Sequence, residues 1–281
     1  MPASTGIGLL NEKPLHAALK AWVARPGDRL ESPVDGFVVD IVRGDQLIEI
    51  QTRNFGALKV KLTALLASRP VRLVHPIAHE RWIVRPGAGA DDRPLRRKSP
   101  ARGRWEMVFE ELVSLPHLLC HERFTLEVVL TREEEVRRFE GRRQWRRRGW
   151  AIDERRLIDV AGTRLFRGPA DWRASVPAHL SSFTTADLAS ELGIRQDLAQ
   201  KMAYCLHRGG VTELLGRRGR ARLYRLLPGD RTTSASGAEA VLPEPHATGM
   251  AGRGTPSCAS RASAATDAGT GSVAANTERS V

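Results

Sequence analysis

The sequence predicts an α/β protein, more closely α+β: one sheet with helices packed on it, followed by a small helical unit ending in a basic hairpin. Three observations carry that expectation. Residues 34–52 are β-branched and apolar on either side of Gly44-Asp45, which reads as two strands joined by a tight turn. Helical and strand-like stretches follow one another as α-β-β-α-β, with a further strand, helix and strand beyond. Farther on, two short helical stretches separated by Gly193-Ile194 precede two strand-like segments flanking residues 216–220.

The first helix begins near Asn11, a capping residue, and carries Leu15, Leu19, Trp22 and Val23 as an apolar stripe until Pro26-Gly27 stops it. Pro14 suits only the first turn. Glu12 and His16, four apart, share a face. In the hairpin, loop residues Gly44 and Asp45 set Arg43 against Gln46, Val42 against Leu47, Ile41 against Ile48 and Asp40 against Glu49. Alternation then places Gln51 beside Glu49. Asp35 with Gly36 reads as a turn. A second helix runs from Asn54 with Leu58, Leu62, Leu65 and Leu66 on one side, and ends at Arg69-Pro70. Residues 71–75 form a strand that can pair in parallel after this crossover, and residues 80–85 another. Residues 87–104 are a Gly/Pro/Arg-rich loop, 105–115 a helix and 124–130 a strand. Residues 132–167 read as a basic connector, with a short hairpin around Gly162.

Thr184 or Thr185 caps a helix over 186–192, with Asp187 in its first turn. A second helix over 196–208 turns Leu198, Met202, Cys205 and Leu206 inward, and strands over 211–215 and 221–227 complete the unit. Helix, glycine turn, helix and basic hairpin have the sequence shape of a winged helix-turn-helix. The domains expected are therefore 1–131, the connector 132–167, the winged unit 168–228, and a disordered tail 229–281 rich in Ala, Ser, Thr and Gly.

The chain has 281 residues, a formal net charge of +12 and a pI near 10.6, which favours polyanionic partners, nucleic acid first. Its three cysteines have no paired spacing, as suits a reducing cytoplasm without a disulfide framework or Cys-based zinc site. No apolar run reaches the ~18–20 residues that span a bilayer. A cytoplasmic protein is expected, nucleoid-associated if bacterial, with no membrane partner.

Two carboxylates side by side on a strand pair repel each other. A hard divalent cation removes that penalty, so Asp40 and Glu49 predict a metal site. This placement resembles the PD-(D/E)xK nuclease superfamily, whose restriction-endonuclease-like core is an αβββαβ unit. Glu12 matches its helix glutamate, Asp40 its strand aspartate, and Glu49-Ile50-Gln51 its acid-x-lysine pair, with glutamine where the lysine stands. The match covers residues 8–76, more loosely to 131. It implies Mg²⁺- or Mn²⁺-dependent phosphodiester hydrolysis, the metal held by Asp40, Glu49 and the Ile50 carbonyl, with Glu12 orienting a water or holding a second ion. Gln51 would donate hydrogen bonds, and Lys59 or Lys61 from the following helix would supply the missing cation. The alternative is a catalytically inactive DNA-binding or transcription-regulating protein that keeps the scaffold.

DNA is the expected partner, with RNA left open. Its contacts are assigned to Arg142, Arg143, Trp145 and Arg146 in the connector, to Arg195, Gln196, Gln200 and Lys201 at the second helix of the winged unit, and to Arg217, Arg218 and Arg220 on its hairpin. Cleaving both strands would suit a homodimer.

Overall fold

The turn chemistry of residues 29–50 builds a meander. Asp35 and Gly36 both take positive φ (48° and 81°), as a type I′ turn requires, and Gly44 (φ 54°) opens a type II′ turn. They join β1 (Arg29–Val34), β2 (Phe37–Arg43) and β3 (Gln46–Ile50) into an antiparallel sheet. The β1 strand has no counterpart in the sequence expectation. It is an edge strand, where Pro33 costs no ladder hydrogen bond. A computed structural model describes residues 13–87, 93–141 and 149–228.

Helix α1 (Pro14–Val23) carries proline at its first position. Leu15, Leu19 and Val23 pack on Ile41, Ile48, Ile50, Val74 and Val129 of the sheet. Trp22, expected in that stripe, is exposed instead. After β3, a 3-10 turn (Phe55–Leu58) anchored by the fully buried Phe55 leads into α2 (Lys59–Ser68). Leu62, Leu65 and Leu66 of α2 join Val42, Leu47 and Leu73 in a second core. Alternate residues of β2 and β3 feed the two cores, so α1 and α2 cover opposite faces.

The crossover delivers β4 (Val71–Arg85) parallel to β3, as expected. The two strands read over 71–75 and 80–85 are this one continuous strand. Next, β5 (Leu95–Lys98) pairs with β4, within what the sequence presents as loop. Its Arg96 and Lys98 both lie over the Trp82 ring, each 5.0 Å from its centre, so the cations have an aromatic partner along the ladder. The helix expected over 105–115 is a 3-10 turn (Trp105–Val108) followed by the short α3 (Phe109–Leu112).

The long β6 (Phe124–Phe139) and β7 (Trp150–Phe166) complete a mixed sheet in the order β1-β2-β3-β4-β6-β7. They replace the connector expected over 132–167, whose boundary falls inside β6. No hairpin forms at Gly162, which lies within β7 opposite Leu130. Charge concealed these strands: Glu133 and Glu135 are buried on β6, and Glu135 pairs with Arg81 and Arg137.

Beyond the sheet come α4 (Pro169–Arg173), β8 (Ser182–Phe183), α5 (Thr185–Leu192), α6 (Gln196–Arg208), β9 (Thr212–Arg218) and β10 (Ala221–Leu226). Thr184 and Asp187 form a capping box on α5, and Gly193 (φ 58°) ends it. The last three strands form a sheet in the order β8-β10-β9. These elements share one core with the large sheet. Trp172 stacks on Phe166 at 4.1 Å and meets Phe109 edge-on at 5.7 Å, joining α4, β7 and α3. At the end of α6, a Cβ on Gly209 would lie 2.8 Å from the Leu119 side chain and 2.9 Å from the Pro116 carbonyl, so glycine permits that close approach.

The tail assigned to 229–281 lies outside the described residues. Trp172→Ala is expected to cost about 3–5 kcal/mol in chemical denaturation, the range for emptying a buried aromatic site. A loss below about 1 kcal/mol would place the joint elsewhere.

Candidate functional site

The register of the central hairpin is the one read from its turn: Arg43↔Gln46, Val42↔Leu47 and Ile41↔Ile48. The ladder then ends. Asp40 does not form the expected rung opposite Glu49; its Oδ2 accepts the Ile50 N–H at 2.8 Å. The β1–β2 ladder also skips this level, where Glu31 takes a φ of 45° and its carboxylate meets Lys20 Nζ at 2.5 Å. A left-handed glutamate beside an aspartate that caps a backbone amide marks a local distortion, the kind of strain that collects at working sites.

The two carboxylates are still close enough to interact. Burial pushes Glu49 up to about 7, the Asp40 charge adds to it, and Lys61 only partly opposes them. Burial also works against ionised Asp40, but hydrogen bonds from His16 and the Ile50 amide outweigh it and hold Asp40 below its usual value. Glu49 is 4 % exposed. The Lys61 ammonium lies 2.6 Å from Glu49 Oε1, a charged contact within the buried site. The same ammonium donates to the Val38 carbonyl at 2.5 Å.

Of the two candidate lysines, only Lys61 reaches the acids. Lys59 is exposed, and its charge falls on His117. Gln51 is turned away: its amide donates to the carbonyls of Arg53 (2.6 Å) and Asn54 (3.2 Å), fastening the turn into α2. The reason is that β3 ends at Ile50, so strand alternation no longer fixes where Gln51 points. Ile50 meets the site through its N–H, the opposite polarity from the carbonyl ligand expected of it. Glu12 lies outside the described residues.

His16 belongs to the site. Its Nε2 is 3.3 Å from Asp40 Oδ2. The signal available was its position four residues after Glu12, on the helix face that meets the hairpin. His75 fastens the segment after β3. It donates from Nδ1 to the Gln51 carbonyl at 2.7 Å and packs edge-on against Phe55, and burial lowers its basicity. Among the described residues, no group of three or more His, Cys, Asp or Glu side chains is arranged to hold a metal ion.

In the helix–hairpin unit, Gln200 is exposed and Lys201 half-buried on α6. Arg195, at the start of α6, pairs with Asp197 at 2.6 Å, and the Gln196 amide donates to Thr185 Oγ1 at 2.8 Å. Arg218 is engaged by Asp187 of the α5 capping box, so it ties β9 to that helix. Arg217 and Arg220 are exposed, and Arg217 stands directly opposite Arg222 in the β9–β10 ladder. Like charges opposed on a ladder are unfavourable without a counter-charge. Arg142, Arg143, Trp145 and Arg146 lie outside the described residues.

A family model described as "Domain of unknown function (DUF8091)" matches residues 13–167. The chain belongs to the DUF8091 family. The DUF8091 match spans α1 through β7 and therefore contains Asp40, Glu49 and Lys61, but not α5, α6 or the basic hairpin. An uncharacterized protein of Treponema pallidum (strain Nichols) is 28 % identical over 252 residues, covering 89 % of this chain and 98 % of that protein. No solved structure matches the chain. Among the described residues, no helix is long and apolar enough to cross a membrane.

Proposed function

We infer that this DUF8091 protein is a divalent-metal-dependent, DNA endonuclease-like phosphodiesterase whose helix–hairpin unit binds DNA. The observation that carries the reading is the reach of Lys61 from α2 to Glu49, beside Asp40, while Gln51 is turned away. It supplies, from another element, the cation missing from the Glu49-Ile50-Gln51 pair. The order α1-β1-β2-β3-α2-β4, with β3 and β4 parallel, supports the resemblance to the PD-(D/E)xK core. The run α4-β8-α5-α6-β9-β10, with β8 on β10, supports a winged helix-turn-helix.

The donor set fits a hard cation. Two neighbouring carboxylates, one of them buried and raised by its neighbour's charge, form an acidic pair that a divalent ion would reconcile. Asp40 and Glu49 would hold Mg²⁺ or Mn²⁺, which when bound acidifies a water and offsets charge on the phosphate. The Ile50 amide and His16 fix the orientation of Asp40, as outer groups commonly do for ligands. The Lys61 ammonium, steadied by the Val38 carbonyl, offers positive charge where the phosphoryl oxygens become more negative.

One observation favours the alternative, a catalytically inactive DNA-binding protein. Lys61 already counters Glu49, and no three-ligand group is found among the described residues. Calorimetric titration with Mn²⁺ separates the two: uptake that disappears in Asp40→Ala supports the enzyme, and a wild type that takes up no Mn²⁺ supports the binding protein.

On the hairpin, the paired Arg217→Ala and Arg220→Ala changes are expected to weaken binding to duplex DNA by fluorescence anisotropy. Arg218→Ala is expected to act on stability instead, by about 0.2–1 kcal/mol, the scale of an exposed ion pair. Equal losses of DNA affinity from both sets would remove the distinction.

A further inference from the structure

A cleft of about 180 Å³ opens between the start of α1, the segment after β3, and β7; Lys13, Thr52, Arg53, Asp153, Glu154 and Arg155 line it. Thr52 is two residues past Ile50, and Lys13 three residues before His16, so the cleft shares two of its chain segments with the Asp40–Glu49 site. Both of its acids are already matched. Asp153 is 3.4 Å from Arg138, and Glu154 pairs with Arg156. Lys13, Arg53 and Arg155 make no ion pair with any described residue, so the lining sets three cations beside two acids that Arg138 and Arg156 already engage. Pockets for small organic ligands usually measure about 300–1,000 Å³. This cleft is smaller, large enough for a phosphate group and its adjoining atoms but not for a whole nucleotide.

We propose that the cleft is a phosphate subsite, binding a backbone phosphate of the bound nucleic acid. It rests on the nucleic-acid-binding part of the reading above. Arg53 and Arg155 present planar forks suited to phosphate oxygens, Thr52 adds a hydroxyl donor, and Lys13 adds charge at the helix start. Gripping a backbone phosphate orients the strand on the protein, and the subsite takes no part in bond cleavage.

The test is equilibrium binding of labelled duplex DNA by fluorescence anisotropy in Ca²⁺, at several salt concentrations, alongside Mn²⁺ calorimetry. Each phosphate contact removed lowers the slope of log K against log[salt] by about 1. The paired Arg53→Ala and Arg155→Ala changes are expected to lower it by about 2. Arg167→Ala, an exposed cation outside the cleft, is expected to leave it unchanged. An unchanged slope in the paired variant, an equal fall in Arg167→Ala, or no binding of duplex by wild type overturns the subsite. The two readings fail separately: a lowered slope in a protein that takes up no Mn²⁺ keeps the subsite and removes the hydrolase. Normal Mn²⁺ uptake with an unchanged slope does the reverse.

Discussion

Lys61→Ala is expected to lower metal-dependent cleavage by about 10²–10³-fold, the usual cost of deleting one preorganised charge or donor aimed at a transition state. Gln51→Ala is expected to cost less than about tenfold, because its amide serves the Arg53 and Asn54 carbonyls and not the acids. The contrast follows from geometry: the Lys61 ammonium is 2.6 Å from Glu49 and 2.5 Å from the Val38 carbonyl. Lys61→Met, which keeps the apolar stem, should lose as much activity as the alanine variant, while Lys61→Arg should recover part of it. Plasmid nicking rates under single-turnover conditions would measure all four. Loss at Gln51 equal to that at Lys61 would return the missing cation's role to the strand position.

Glu49→Gln is expected to change how stability depends on pH. The ordinary value for Glu49 is 4.5, and the folded protein raises it to about 7, with burial as the first cause and Asp40 as the second. Below 4.5 both folded and unfolded chains hold the proton, so the site exacts no penalty. Between 4.5 and about 7 the folded chain keeps a proton that the unfolded chain has lost, and stability falls as pH rises. Above that window the full penalty stands, on the order of 3 kcal/mol from 1.36 kcal/mol per pH unit. Asp40 works in the other sense. Its lowered value contributes stability above 3.8 that is lost as acid protonates the folded group. Urea denaturation in EDTA at intervals from pH 5 to 8 should therefore show wild type weakening across the window and Glu49→Gln nearly flat. Parallel curves would mean that Glu49 carries no such burden. Added Mg²⁺ should offset the loss above pH 7 in wild type only.

The parts of the site that depend on short-range geometry were legible in the sequence. Gly44-Asp45 fixed the rungs from Arg43↔Gln46 to Ile41↔Ile48, and two like charges at the open end of that hairpin pointed to a cation. What escaped were features decided one residue beyond a regular element. Asp40 turns to cap the Ile50 amide, and Gln51 lies past the end of β3, so alternation misplaces both. Lys59 and Lys61 are two residues apart on α2, which is about 200° of rotation, and only the 3-10 turn before the helix decides which one faces the sheet. Composition hid the outlying strands. Pro33 and Glu31 disguised β1, arginines disguised β5, and the run from Glu133 to Arg138 resembled a solvated connector although buried ion pairs hold it within β6. The helices α5 and α6 were read nearly to the residue because Thr184, Gly193 and Gly209 punctuate them.

The most direct measurement is cleavage of plasmid and branched DNA with Mg²⁺ or Mn²⁺ by wild type, Asp40→Ala and Glu49→Ala, with EDTA as control. Wild type is expected to cleave, EDTA to abolish that cleavage, and neither variant to retain it. Cleavage persisting in both variants, or a folded wild type inert on DNA and RNA alike, would contradict that expectation.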